Sequence, residues 1–234
     1  MNIPTDKNPR IIVAEIAVRI LGDASKVRSG FKPRLSKEQM IDLVGQIHSN
    51  VQQLKYSYLS LEDLLNSSQL QEIVSISENI FDAFIGAYQS TEAGKPRKIT
   101  IQECTVLWAC RLFINLPTRL QQPFRPTIES GVDMEVVGIR NIIPIPNSKL
   151  FISKVYNGSD DFAVVTNLQT LKAGMRVGVA YLPPVIIGGE ISEAMYLGDE
   201  EYPDDVNYGT PIFDNADFGG VRNILKQEFM KKSK

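Results

Sequence analysis

The sequence predicts an α+β protein in which an N-terminal helical bundle precedes a five-stranded β-barrel and a C-terminal extension. Three observations carry this prediction. Apolar residues recur at spacings of three and four through the first half of the chain, which is typical of amphipathic helices. Short β-like runs, separated by Gly, Pro and Asn, fill most of the second half. Between the two patterns, Pro117, Pro123 and Pro126 predict a semi-extended linker. We therefore expect a helical domain over residues 1–116, a Pro-rich linker over 117–131, a barrel over 132–198, and an acidic loop followed by a basic helix over 199–234.

Start signals and apolar stripes define the helices of the first half. Asn8 and Pro9 fit the N-cap and first position of a helix that we expect to end before Gly22. Ser36 with Gln39, and Thr100 with Glu103, match the capping box, in which each side chain bonds the other residue's backbone amide. The helix after Thr100 is apolar on most sides, so we expect it to form the buried centre of the bundle, with Trp108 in the core.

Five short runs predict the strands of the barrel: Glu135–Ile143, Leu150–Tyr156, Phe162–Thr166, Met175–Tyr181 and Ser192–Leu197. Turn formers stand between them, among them Pro183–Pro184 and Gly188–Gly189. A region of about 65 residues with five strands has the size of an OB-fold barrel.

Composition narrows the possible functions. The net charge of -2 and the isoelectric point of about 5.6 are not those of a strongly basic nucleic-acid binder, so any RNA contact must come from a local basic patch. His48 is the single histidine, which argues against a multi-histidine metal site and a Ser-His-Asp triad; no phosphate-binding loop is visible either. We therefore predict a non-enzyme without a cofactor.

Location follows from equally simple observations. The first ten residues are polar and do not form a secretory signal, and the apolar run Ile11–Leu21 is too short to span a bilayer. Cys104 and Cys110 stand six apart in one predicted helix, where their side chains point to different faces and a disulfide is not expected. The prediction is a cytoplasmic protein without a membrane partner.

Residues after the barrel divide into an acidic part and a basic part. From Asp199 to Asp217 every charged residue is acidic, a pattern that favours a solvated loop. Val221–Lys234 then predicts a short helix with a basic end, whose apolar positions would dock on the body of the protein. A second basic segment lies in the loop after the first helix, at Lys26, Arg28, Lys32 and Arg34, and we interpret it as a solvated connection.

Two motifs in the barrel region stand in a familiar order. Pro146–Asn147, followed by Lys149–Leu150, occurs between the first two predicted strands, and Ser192–Glu193–Ala194–Met195 occurs at the fifth. With these motifs, residues Met134–Gly198 resemble the EMAP-like tRNA-binding domain, an OB-fold that is appended to some aminoacyl-tRNA synthetases and also occurs in free-standing proteins. The order of a helical domain and an EMAP-like barrel is also similar to that of a group of archaeal predicted RNA-binding proteins. The family usually has one more residue between the Asn and the Lys, where this chain has only Ser148.

The resemblance implies a function and a site. It implies a non-catalytic tRNA-binding protein of translation, with an aminoacyl-tRNA synthetase as a further partner. Carried over by position, Asn147 and Lys149 would lie at the rim of the ligand face, and Ser192 and Met195 on the strand beneath it. To these RNA-binding candidates we add the other bases able to flank that face: Arg140, Lys154 and Arg176.

Two alternatives stay open at this stage. The loop from Pro183 to Gly189 carries no charge, whereas the family usually has Lys and Arg there. This favours, as a second hypothesis, a protein-interaction or scaffold subunit associated with aminoacyl-tRNA synthetases, in which the barrel no longer binds RNA strongly. Free-standing members of the resembling family form dimers, which makes a homodimer one expectation; coverage of the barrel edge by the extension from Asp199 onward is the other.

Overall fold

The protein is described by a computed structural model that covers residues 4–26, 35–89, 99–213 and 216–231. It divides into two compact units, Met1–Gly131 and Val132–Lys234. Helices fill the first and strands dominate the second, which confirms the predicted α+β class. No helix in the described ranges combines the length and the apolar character that crossing a membrane requires. Of the basic loop predicted after the first helix, Arg28, Lys32 and Arg34 lie outside these ranges.

In the described part of the first unit there are six α-helices, and two short 3-10 turns, Thr5–Lys7 and Ile128–Gly131, flank them. The helices are α1 (Pro9–Lys26), α2 (Lys37–Lys55), α3 (Leu61–Leu65), α4 (Ser68–Gln89), α5 (Ile101–Ile114) and α6 (Leu116–Gln121). Helix α5 is buried along most of its length, and Trp108 is 6% exposed, so the prediction of a central helix is confirmed.

Both predicted capping boxes are present. Ser36 Oγ accepts from the Gln39 amide at 3.2 Å, and Gln39 Oε1 accepts from the Ser36 amide at 2.8 Å. Thr100 and Glu103 make the same reciprocal pair at the start of α5. Helix α1, in contrast, continues past Gly22 to Lys26. A glycine inside a helix costs only about 1 kcal/mol relative to alanine, which buried neighbours readily offset.

The predicted Pro-rich linker differs from the structure at its beginning. Leu116–Gln121 forms helix α6, because Pro117 stands in the first turn, where its missing amide hydrogen costs nothing. The end of this helix is held by Arg10, which is 3% exposed. Its guanidinium donates to the carbonyl oxygens of Leu120, Gln122 and Pro123 at 3.3, 3.0 and 2.7 Å. These bonds satisfy carbonyls that the helix end leaves without partners, so the segment packs into the first unit.

The second unit contains five antiparallel strands in the order β3-β2-β1-β4-β5. They are β1 (Met134–Pro144), β2 (Phe151–Tyr156), β3 (Asp161–Thr166), β4 (Arg176–Ile187) and β5 (Glu190–Tyr196). All five predicted strands are present. The predicted turn at Pro183–Pro184 is wrong, since β4 runs through both prolines. They fall where the register between β4 and β5 shifts, between Tyr181 and Val185, a position that tolerates the absence of an amide donor.

The two outer strands of this sheet, β3 and β5, come together through side chains. The Val165 amide donates to Ser192 Oγ at 2.9 Å, and the Ala163 amide donates to Glu193 Oε1 at 3.2 Å. We call this contact the β3–β5 seam. Strand order and seam together are compatible with the OB-fold barrel that the sequence predicts.

A polar pair lies inside the second unit. Ser153 of β2 is fully buried, and its hydroxyl lies 2.6 Å from the hydroxyl of Tyr196 on β5. Ser153 Oγ also donates to the Val164 carbonyl at 3.0 Å, so its single proton is used and Tyr196 is the donor of the pair. The apolar side chains packed in this core are Val137, Ile139, Val155, Phe162, Val164, Leu171, Val177, Val179 and Ala194.

The described acids of the predicted acidic loop are exposed, as expected, but part of the loop pairs with the sheet. Residues 209–212 pair with Met134–Val136, the part of β1 that β2 does not reach. The Val136 amide donates to the Thr210 carbonyl at 3.0 Å, and the Ile212 amide donates to the Met134 carbonyl at 2.9 Å. Ile212 is 4% exposed and packs on Gly178, where any side chain on the glycine would collide with it. Helix α7 (Gly219–Met230) follows and buries Val221 and Leu225.

Candidate nucleic-acid interface

The turn between β1 and β2 is a compact loop that its own backbone closes. The Ile145 amide donates to the Leu150 carbonyl at 2.9 Å, and Ser148 Oγ donates to the Ile145 carbonyl at 3.0 Å. Asn147 has a φ of 58°, a left-handed conformation that asparagine adopts more readily than most residues. This explains why the motif requires an asparagine at this position, whatever its side chain contacts.

Asn147 and Lys149 are both exposed on this turn. We call them the rim. Among the described residues, Lys149 has no acidic partner within ion-pair distance. Its ammonium group is therefore available for a phosphate, and the fixed loop reduces the conformational entropy that binding would cost.

The three added bases differ from the rim because each already contacts an acid. Arg140 Nε lies 2.6 Å from Asp161 Oδ1, and Lys154 Nζ lies 3.4 Å from Asp161 Oδ2. The Arg140 and Lys154 side chains remain 51% and 55% exposed. Arg140 and Lys154 thus share the carboxylate of Asp161 while both remain half-exposed.

Arg176 is held by the C-terminal extension. Its Nε lies 3.5 Å from Asp204 Oδ1, its NH1 donates to the Val206 carbonyl, and its guanidinium stacks 4.4 Å from the ring centre of Tyr208. The Arg176 side chain is only 20% exposed. The extension thus neutralises and covers a base that the sequence places at the ligand face.

Ser192 and Met195 are similarly occupied. Ser192 is 4% exposed, and its hydroxyl accepts from the Val165 amide and donates to the Ala194 carbonyl at 2.9 Å. The single proton of the Ser192 hydroxyl is therefore used within β5, and the oxygen serves the β3–β5 seam, so its role at a ligand face stays a prediction. Met195 is half-buried and contacts the start of α7, where a Cβ on Gly220 would lie 2.6 Å from Met195 Cε. We call Arg176 and Met195, with the extension over them, the covered face.

Sequence reasoning missed one feature of this surface. Tyr208 of the extension packs against Gly138 of β1, and a Cβ on that glycine would lie 2.8 Å from the Tyr208 ring. The ring centres of Tyr156 and Tyr208 are 5.9 Å apart, in an edge-to-face arrangement. A glycine inside a strand is a signal for such close approach, but its partner stands seventy positions later in the chain and no local pattern points to it.

Comparisons with known proteins give three results. A search of curated proteins finds no match. A solved structure described as "Crystal structure of MetRS related protein from Pyrococcus horikoshii" is similar at 18% identity, with a TM-score of 0.34, over 35% of this chain and 90% of that chain. A likeness of this strength supports no inference about the present chain. The model of the family described as "Alpha helical domain" matches residues 2–122, more than half of the 234. By this match the chain belongs to the Alpha helical domain family.

Proposed function

We propose that the chain is a non-catalytic tRNA-binding protein whose second unit is an EMAP-like OB barrel. The observation that carries the proposal is the rim, where the motif residues Asn147 and Lys149 stand exposed on a closed turn. The proposal names tRNA as the partner and, through the resemblance, an aminoacyl-tRNA synthetase as a second one.

Electrostatics sets the expected strength of binding. Affinity for a phosphate backbone comes largely from counterions that lysines and arginines release. Of the barrel bases, Arg140 and Lys154 share Asp161, and Arg176 contacts Asp204. Few phosphates can therefore be neutralised without breaking an ion pair, and we expect weak binding with a shallow salt dependence.

Each predicted site residue receives a place in this proposal. Lys149 binds a phosphate, and Asn147 holds the turn that presents it. Arg140 and Lys154 flank the rim and exchange Asp161 for RNA phosphates. Arg176, Ser192 and Met195 act indirectly, since they anchor the extension and the β3–β5 seam.

The test is a salt-titrated tRNA-binding measurement on the full chain and on Lys149→Ala. Removing one phosphate contact is expected to flatten the slope of log affinity against log salt by about 0.7–0.9. Lys172→Ala is the matched control, because it removes the same charge from another exposed position of the same unit. Equal slopes for Lys149→Ala and the unmodified chain would contradict the assignment.

One observation favours the alternative of a protein-interaction or scaffold subunit associated with aminoacyl-tRNA synthetases. The β4–β5 hairpin ends in apolar side chains, and Val185 and Ile186 are 48% and 60% exposed. Exposed apolar side chains at a projecting hairpin suit a protein surface better than a phosphate backbone. If this alternative holds, the full chain does not bind tRNA at low salt, and Ile186→Asp disrupts capture of a purified synthetase.

A further inference from the structure

We propose that the groove between β1, β2 and the C-terminal extension binds one unpaired nucleobase. This inference rests on the proposed function, since it names the part of an RNA that a second site on the same barrel recognises. The groove is open to solvent and has a volume of ≈ 260 Å³. Its lining residues are Gly138, Ile139, Arg140, Tyr156 and Tyr208.

Size favours a single ring system over a larger ligand. Pockets for drug-sized molecules run from about 300 to 1,000 Å³, so this groove lies just below that range. It leaves room for one planar base that projects from a backbone outside. A folded segment of RNA or protein would not enter.

The chemistry of the lining is that of a stacking platform. Arg140 lies 4.2 Å from the ring centre of Tyr156, Tyr156 meets Tyr208 edge to face, and Arg176 lies 4.4 Å from the ring centre of Tyr208. Aromatic rings and guanidinium planes are the groups on which proteins stack unpaired bases. Arg140 and Arg176 each cover one face of a tyrosine, so the base would stack on the outer face of the Arg140 guanidinium, whose side chain is 51% exposed, with Tyr208 as the wall of the groove.

Hydrogen-bond donors favour a base over an aromatic side chain of a protein partner. The Arg140 guanidinium has five N–H donors, and among the described residues only its Nε has an acidic partner, Asp161. The remaining donors can reach acceptors on a base edge or on the phosphate next to it. A phenylalanine or leucine from a protein would leave those donors unused.

The groove and the rim lie on one hairpin. Asn141 pairs with Lys154, so Arg140 lies beside this part of β2. Lys154 follows Lys149 by five residues in the chain. At about 3.4 Å per residue this is about 17 Å along the strand. One RNA strand of a few nucleotides spans that distance, which matches the smaller site sizes of OB-folds.

The experiment compares two RNA probes with the full chain. One is a stem-loop with 2-aminopurine at an unpaired loop position, and the other is a fully paired duplex of the same stem. We expect the protein to quench 2-aminopurine fluorescence by stacking. We expect Tyr208→Ala to weaken binding of the stem-loop about fivefold or more, with unchanged affinity for the duplex.

Three further variants separate stacking from folding. Tyr208→Phe keeps the ring and should keep both quenching and affinity. Gly138→Ala keeps the tyrosine but places a Cβ 2.8 Å from its ring, so it should displace the ring and reduce quenching. Tyr56→Ala is the control, because Tyr56 is 56% exposed in the other unit and should change neither.

Three results would overturn the inference. They are a lack of quenching by the unmodified chain, an equal loss on stem-loop and duplex with Tyr208→Ala, and an unchanged stem-loop affinity with both Tyr208→Ala and Gly138→Ala. If tRNA or the duplex still binds, the groove alone is wrong. If the full chain binds none of these RNAs at low salt, the proposed tRNA function fails together with the groove.

Discussion

The rim and the covered face both carry residues predicted from the sequence to bind RNA, but the rim is exposed and the covered face is in contact with the C-terminal extension. On the rim, Lys149 is exposed and has no acidic partner among the described residues. On the covered face, Asp204 and Tyr208 hold Arg176, and α7 contacts Met195. The predicted site thus divides into one surface that is open to a ligand and one that the chain itself occupies.

This difference shows that a sequence position gives only the type of a side chain. The tertiary contacts of that side chain determine whether it is available to bind a ligand. A base that is already paired must lose an acid before it gains a phosphate, so its net contribution to binding is small. The predictions below test the two surfaces separately, from the largest expected effect to the smallest.

Ile212→Ala removes a side chain that packs the extension onto the covered face. It should lower the free energy of unfolding by about 2–4 kcal/mol. Ile212 is 4% exposed and packs on Gly178, so truncation leaves a cavity between the extension and the barrel. Chemical denaturation measures the effect. Ile186→Ala, at a site 60% exposed, is the control and should stay within about 0.5 kcal/mol. An Ile212→Ala variant as stable as this control would mean that the extension does not pack as described.

High pH should lower the stability of the second unit through ionisation of the buried Tyr196, without a change at the rim or the covered face. Burial raises the pKa of Tyr196 to about 12. The phenol has an ordinary pKa near 10 in the unfolded chain, so the unfolded state loses its proton first. Stability is then fully present below pH 10 and falls as the pH rises toward 12, by about 1.4 kcal/mol for each unit between the two values.

Denaturant titrations from pH 9 to 12 measure that loss, and Tyr196→Phe provides the control. Without the phenol, this contribution to the fall of the unfolding free energy with pH disappears. The account of the barrel interior is wrong if the unmodified chain and Tyr196→Phe lose stability in parallel over this range.

Ser192→Ala should cost about 1–3 kcal/mol of stability and leave tRNA affinity unchanged at temperatures where the protein is folded. The substitution leaves the buried Val165 amide without its acceptor, which is the expensive half of a lost hydrogen bond. Ser159→Ala, at an exposed serine between β2 and β3, is the matched control. A selective loss of tRNA affinity with full stability would restore Ser192 to the ligand face.

Local signals made much of this fold predictable. The capping boxes at Ser36 and Thr100 involve residues three apart, and the strands of the barrel have β-like composition between turn formers. Both patterns act over a few residues, so the sequence displays them directly. The left-handed Asn147 belongs to the same class, because a tight turn selects asparagine at that position.

Features that depend on distant partners were not predictable. The acidic composition of the extension indicated exposed side chains, but not the backbone pairing of Thr210 and Ile212 with β1 that holds the extension on the sheet. Ser192 shows the same limit, since nothing near it in the sequence indicates that the Val165 amide lies 2.9 Å away. The residue types in the sequence predicted which side chains the site contains. Only their contacts in the folded chain distinguish the exposed rim from the covered face.

Amide hydrogen exchange of the full chain, with and without saturating tRNA, tests the central claim most directly. Exposed backbone amides exchange readily unless a ligand covers them. The account predicts new protection at residues 147–150 of the β1–β2 turn, and unchanged exchange around the exposed Ala173 between β3 and β4. Protection around Ala173 without protection of the turn would contradict the claim that the rim binds RNA.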